Sequence, residues 1–196
     1  MDNAKLKYLL REIVVNKDST AYKELFISCY DNLYRFVFSM LRSKEDAEEV
    51  ISDFFITLWQ KKETLSRIEN PKLFFFISVK NLSINKMRVI RRNNIDFNEE
   101  YLVHFKSPFF NPEELLLSKE AVAKIIESIN ELPPKCKLIF RLIREDGLKY
   151  AEVATLLNIS VKTVEAQMAI AVKRISGISS FQSHFPELYS ILSGKK

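Results

Sequence analysis

A chain of 196 residues, 47% hydrophobic and 28% charged, has the apolar content for one domain or two small ones, each burying a core of ordinary size. With 3 Gly and 6 Pro it is too poor in turn formers for a strand-and-turn architecture, and no apolar run approaches a membrane span. The net charge of +5 favours an anionic partner, and the two Cys, Cys29 and Cys136, match no metal or redox spacing, so reduced thiols in a cytoplasmic protein are expected.

The first ten residues, MDNAKLKYLL, alternate charge with apolar residues and lack a signal peptide's apolar segment. From Tyr22 onward, Leu25, Phe26, Cys29, Leu33, Phe36, Val37 and Met40 recur at the spacing of one helical face, which places Cys29 in the core. A capping-box pattern, Ser43 with Asp46, opens the next helix, whose apolar face is Ala47, Val50, Ile51, Phe54, Phe55, Leu58 and Trp59. Asp46, Glu49 and Asp53 line its other face. Asn70 and Pro71 then start a helix expected to reach about Arg92.

That third helix is basic. Lys80, Lys86, Arg88, Arg91 and Arg92 fall between Ser78 and Arg92 with no acid among them. Asn81, Asn85, Arg88 and Arg92 follow i, i+4, i+7, i+11 and share a face, a set of amides and guanidinium groups suited to base edges and phosphates. Phe74, Phe75 and Phe76 either fill the core or stack on unpaired bases. The acidic face opposite in sign reads as a protein-docking surface or as a solvated face. A metal or catalytic role is not expected, because no ligand set converges and the only His residues are His104 and His184.

Periodicity fails from Asn93 to Pro112, where Asp96, Glu99 and Glu100 oppose one Lys106, and we assign a linker there. Asn111 and Pro112 start a helix through about Leu132, and a further helix is expected from Pro134 to Arg144, with Gly147 after its end. Then comes YAEVATLLNISVKTVEAQ, an apolar helix that stops at an Asn and restarts at a Ser as a polar one. A helix-turn-helix needs a small residue at the crossing, a turn residue that tolerates a left-handed backbone, and an apolar anchor; Ala154, Asn158 and Val164 meet these needs. Val153, Leu156, Leu157 and Ile159 would form its small core, and Ser160 would cap its second helix. Lys162, Thr163, Glu165, Ala166, Ala169 and Lys173 would face outward, able to enter a DNA major groove. A plain helical hairpin with a solvated second helix carries the same pattern.

The order of these parts resembles the extracytoplasmic-function sigma factors, small initiation subunits of bacterial RNA polymerase. EDAEEVISDFFITLWQKKETL is similar to the family's acidic clamp-docking helix, and NPKLFFFISVKNLSINKMRVIRR to the part that opens and reads the −10 element. The stretch from Ile129 to Ile175 is similar to the region that reads the −35 element. The resemblance implies that Asp46, Glu49 and Asp53 face core polymerase, with Phe54 and Trp59 supporting the fold. It implies that Asn81 stands near a flipped −10 base, with Asn85 on the same face, and that the loop from Lys62 to Asn70 forms part of that pocket. Lys80, Arg88, Arg91 and Arg92 would hold the DNA backbone, and Lys162, Thr163, Glu165, Ala166 and Ala169 would face the −35 bases, with Lys173 beside them. The linker would run through polymerase channels, and an anti-sigma factor is an implied partner. Asn85 stands where the family usually has Asp, Asn158 replaces a common Gly and Lys149 a common Ser. The small Ala166 and Ala169 favour shape readout over direct contact.

The expected fold is therefore all-α, two small helical domains joined by a linker, the second containing the helix-turn-helix. Residues 1–92 would dock core polymerase and recognise the −10 element. Residues 93–111 would be the acidic linker, 112–176 the −35 domain, and 177–196 a tail that packs back through FPELYSIL or binds a regulator. The function expected is a non-enzymatic promoter-specificity subunit in the cytoplasm, without cofactor, metal or small-molecule substrate. Two rivals have weaker support. A free-standing helix-turn-helix regulator leaves the N-terminal half without a phospho-acceptor domain and its basic helix unexplained, and a nuclease-like enzyme would have to use Asp46, Glu49 and Asp53.

Overall fold

The computed structural model describes residues 2–93 and 127–176, and every regular element among them is a helix. The helices belong to two compact units. The linker, most of the helix expected from Pro112, both His residues and the tail lie outside the described residues.

The first unit contains α1 (Asn3–Val15), α2 (Ser19–Leu41), α3 (Lys44–Gln60), a 3-10 turn (Lys62–Arg67) and α4 (Pro71–Asn93). Helix α1 goes beyond what the sequence suggests, where this stretch reads only as charge alternation. Its Leu6, Leu9, Leu10 and Ile13 recur at helical spacing and are all buried, and Asp2 caps its start by accepting from the Ala4 and Lys5 amides. In α2 the expected stripe is largely core, with Leu25, Cys29, Leu33, Phe36 and Val37 buried, while Phe26 and Met40 lie at its edge. Phe26, Tyr30, Tyr34 and Phe38, four residues apart, instead make a ladder of ring contacts along the helix. The α2 chain stops at Arg42 in the left-handed region.

Ser43 Oγ accepts from the Asp46 amide at 3.1 Å and so starts α3 as expected. Helix α4 is capped twice. Asn70 Oδ1 accepts from the Leu73 amide, and Asn3 Oδ1, brought by α1, accepts from the Lys72 amide. The two Asn side chains also bond each other at 2.9 Å, so the first residue of α1 helps hold the start of α4. Phe75 and Phe76 are fully buried and Phe74 is 40% exposed, which divides the Phe run between core and surface. Each fully buried Phe contributes about 2–3 kcal/mol of transfer free energy.

In the second unit residues 127–130 are helical and are followed by α5 (Pro134–Arg144), α6 (Tyr150–Leu157) and α7 (Val161–Ser176). Helix α5 has the expected bounds. Its Cys136 Sγ donates to the Gln167 carbonyl on α7 at 3.1 Å, and Ile139 and Leu142 are buried.

Candidate nucleic-acid and polymerase interfaces

The turn between α6 and α7 has the geometry a helix-turn-helix requires. Asn158 adopts φ 54 and ψ 50, the left-handed conformation expected of it. The Ile159 amide donates to the Ala154 carbonyl and the Asn158 amide to the Thr155 carbonyl, a pair of bonds that closes the C-terminus of α6 as a Schellman motif. Ala154 and Val164 are buried with Val153 and Leu156, whereas Leu157 and Ile159 are half-buried, so the small core is narrower than expected. The missing cap at Lys149 is supplied from the other end of the box, where the Glu152 carboxylate accepts the Lys149 amide at 2.7 Å.

Ser160 Oγ accepts from the Thr163 amide at 3.0 Å and starts α7. Thr163 is half-buried and its hydroxyl lies 2.8 Å from Ser160 Oγ, so it serves the cap as well as the outward face. Lys162, Glu165, Ala166, Ala169 and Lys173 are exposed along α7. Two small side chains between a cation and an acid leave a face that can approach a duplex closely.

On α4, Asn81, Asn85 and Arg88 are exposed on one face, and Arg88 reaches the Asn85 amide oxygen at the limit of hydrogen bonding, 3.5 Å. Lys80 is half-buried on the same helix. The backbone of Arg91 and Arg92 continues α4; their side chains lie outside the described residues. Lys86 is different in role. Its ammonium lies 2.6 Å from Glu49 and 3.3 Å from Asp46 on α3, which tie it across the two helices. The hydrogen bond to Glu49, reinforced by Asp46, holds the Lys86 pKa above the ordinary lysine value. The acid and basic faces expected to be separate thus meet at one cation. Asp53 is exposed and makes no ion pair among the described residues.

The Lys62–Arg67 turn is a 3-10 helix, and a groove of about 450 Å³ runs between it and α1. Lys7, Arg11 and Arg67 edge this groove. The sequence reading missed it, although Lys7 and Arg11 at i, i+4 on an amphipathic helix are a legible signal. Among the described residues no group of His, Cys, Asp and Glu is arranged to hold a metal ion.

Two family comparisons match these two units in order. The family described as Sigma-70 region 2 matches residues 25–93, and Sigma-70, region 4 matches residues 123–175, together more than half of the chain. The chain belongs to the sigma-70 family, in its extracytoplasmic-function class. This sigma factor is a promoter-recognising subunit of bacterial RNA polymerase. It is similar to the ferric citrate uptake sigma factor FecI of Escherichia coli (strain K12), with 26% identity over 157 residues that cover 79% of this chain and 88% of the relative. It is also similar to the RNA polymerase sigma factor SigV of Bacillus subtilis (strain 168), with 23% identity, covering 80% of this chain and 92% of the relative. Among solved structures it shares a fold with the sigma factor RpoE of Bartonella quintana, determined in complex with the anti-sigma factor NepR. The TM-score is 0.52 at 18% identity, covering 80% of this chain and 94% of that one.

Proposed function

We propose that the sigma factor divides its task between its two units. In residues 1–92, Asp46, Glu49 and Asp53 on α3 dock core polymerase, the first two sharing Lys86 between them. Helix α4 captures the melted −10 strand, with Asn81 and Asn85 toward an unpaired base and Lys80, Arg88, Arg91 and Arg92 on the backbone. Flipping a base out costs a few kcal/mol, offset by pocket contacts and stacking. Residues 93–111 connect the units, and residues 112–176 anchor upstream duplex through α7, with Lys162, Thr163, Glu165, Ala166, Ala169 and Lys173 in the major groove of the −35 element. The chain acts in the cytoplasm and catalyses no reaction of its own. The anti-sigma factor in the complex with RpoE supports an anti-sigma partner here as well. Residues 177–196 are a tail to this scheme.

The observation that carries the reading is the pairing, in one chain and in family order, of an exposed Asn81–Asn85–Arg88 face with a capped helix-turn-helix. The test is titration of the labelled chain with purified bacterial core polymerase, wild type against Asp46→Ala/Glu49→Ala/Asp53→Ala. Tight binding that the triple variant weakens is the expected result. A chain that ignores core polymerase but binds duplex DNA alone is a free-standing regulator, and the reading fails.

A further inference from the structure

The proposed base pocket has two walls, the loop of residues 62–70 and helix α4, and they meet at a short joint. The loop opens with the 3-10 turn Lys62–Arg67, which starts without a side-chain cap and has the poorer hydrogen-bond geometry of its helix type. Helix α4 begins at Pro71. Between the two, Ile68, Glu69 and Asn70 form no regular element. A joint of this kind between a turn and a long helix is a hinge unless a group outside it holds the angle.

Asn3 of α1 spans this joint. Its Nδ2 donates to Asn70 Oδ1 at 2.9 Å on the loop side, and its Oδ1 accepts from the Lys72 amide at 3.1 Å on the helix side. Asn70 Oδ1 also accepts from the Leu73 amide at 3.2 Å, so one chain of bonds runs from α1 through the joint into the first turn of α4. Helix α1 is a fixed anchor for that chain. Its Leu6, Leu9, Leu10 and Ile13 are buried, and Lys5 pairs with Glu24 on α2 at 2.8 Å. Asn81 stands ten residues beyond Pro71, about 15 Å along α4, so a tilt of about 5° at the joint moves it by about 1 Å.

We propose that Asn3 is a positioning residue for promoter recognition, a staple across the joint that fixes the spacing between the loop and the Asn81 face of α4. It acts through Asn70 and Lys72, not on DNA. With the staple in place the pocket has one shape and selects one base. With the staple lost the walls move independently, and the pocket still takes an unpaired base but discriminates less among the four. The proposal rests on the promoter-opening reading above. It makes base selectivity depend on a residue of α1 as well as on those of α4.

The test uses holoenzyme assembled from the full chain and bacterial core polymerase, with a promoter fragment that this holoenzyme retains from a random-sequence pool. Fluorescent fork-junction copies of that fragment carry each of the four bases in turn at each unpaired position, and the position whose preference Asn81→Ala abolishes is the one α4 reads. Titrations run well below the melting temperature of every variant, so that only folded chains are compared. Wild-type holoenzyme should prefer one base there by roughly 5- to 150-fold, the discrimination typical of a single position. Asn3→Ala and Asn70→Ala should each cut that preference at least about fivefold, and the double variant no further than the stronger single, because either loss opens the same joint. Asn3→Asp keeps the acceptor for the Lys72 amide but sets a carboxylate against Asn70 Oδ1. It should melt closer to wild type than Asn3→Ala and still lose the preference. Asp18→Ala removes a comparable cap, the bond from the Thr20 amide at the start of α2, and should leave the preference intact. Asn3→Ala with the wild-type preference overturns the proposal. So does an equal loss in Asp18→Ala, which would make the effect one of stability alone, and so does full retention in Asn3→Asp, which would assign it to the cap on Lys72. If wild-type holoenzyme retains no fragment from the pool, or Asn81→Ala alters no position, the promoter-opening reading itself fails and the staple's role falls with it.

Discussion

Replacing Lys86 by Ala separates stability from docking on the acidic face of α3. Lys86 Nζ sits 2.6 Å from Glu49 and 3.3 Å from Asp46, and the three side chains are 23%, 56% and 26% exposed. Solvent screens such pairs to about 0.2–1 kcal/mol each, and two bonds to one ammonium do not add in full. Lys86→Ala should therefore cost about 0.5–1 kcal/mol, or roughly 2–6 °C in the melting temperature of a unit this size. Docking should move the other way, because the substitution leaves two uncompensated carboxylates facing the partner. One unit charge about 4 Å from a partner cation is worth about 1 kcal/mol in water, so binding to core polymerase should tighten about fivefold. Asp53→Ala, which breaks no ion pair, should weaken binding about fivefold at an unchanged melting temperature. Anisotropy titrations with core polymerase at about 0.1 M salt, beside thermal melts of each variant, measure both effects. If Lys86→Ala weakens docking as Asp53→Ala does while its melt is unchanged, α4 is itself a docking element and the assignment to α3 is wrong. The pKa of Lys86 is raised from 10.5, so the bridge's contribution is fully present below that value and is lost as pH rises through the higher folded value. The stability difference between Lys86→Ala and wild type should thus stay constant over the lysine-charged range, from about pH 7 to 9.

Asn158→Val should destabilise the second unit by about 1–2 kcal/mol in urea melts, because a β-branched residue resists φ 54, whereas Asn158→Gly should stay within about 0.5 kcal/mol; a Val variant as stable as wild type would contradict the left-handed turn. Burial pushes the Cys29 thiol up to about 11 and raises Cys136 as well, so a thiol reagent such as DTNB at about pH 8 should label neither in the native chain and both in denaturant. Fast native labelling would mean that the α2 or α5 core is open. Leu9→Ala, at a side chain 2% exposed, should cost about 2–5 kcal/mol, and Asn3→Ala about 1 kcal/mol through the lost cap on α4. A wild-type melt for Leu9→Ala would remove α1 from the core.

The elements that were legible carry their signals within a few residues. Pro134 at a helix start, Ser160 three residues before the amide it caps, and Asn158 in a left-handed turn are all local features, and the structure has each of them where the residues imply. Helix α1 was legible in the same way, through Leu6, Leu9, Leu10 and Ile13, but the charges between them drew the reading away from the period. The Phe run resisted because three adjacent residues on a helix point in three directions, and only the packing of α4 decides which one reaches solvent.

By itself the sequence determined the all-α class, the helix-turn-helix, and the exposed Asn81–Asn85–Arg88 face of α4, because periodicity, capping and turn chemistry act over one or two helical turns. Tertiary structure alone decided that Lys86 pairs with Glu49, 37 residues away. It also decided that Asn3 supports the start of α4 through Asn70, 67 residues on, and that Lys7 and Arg11 share a groove with Arg67. These partnerships depend on which helices lie side by side, and that is set by burial of the whole apolar core.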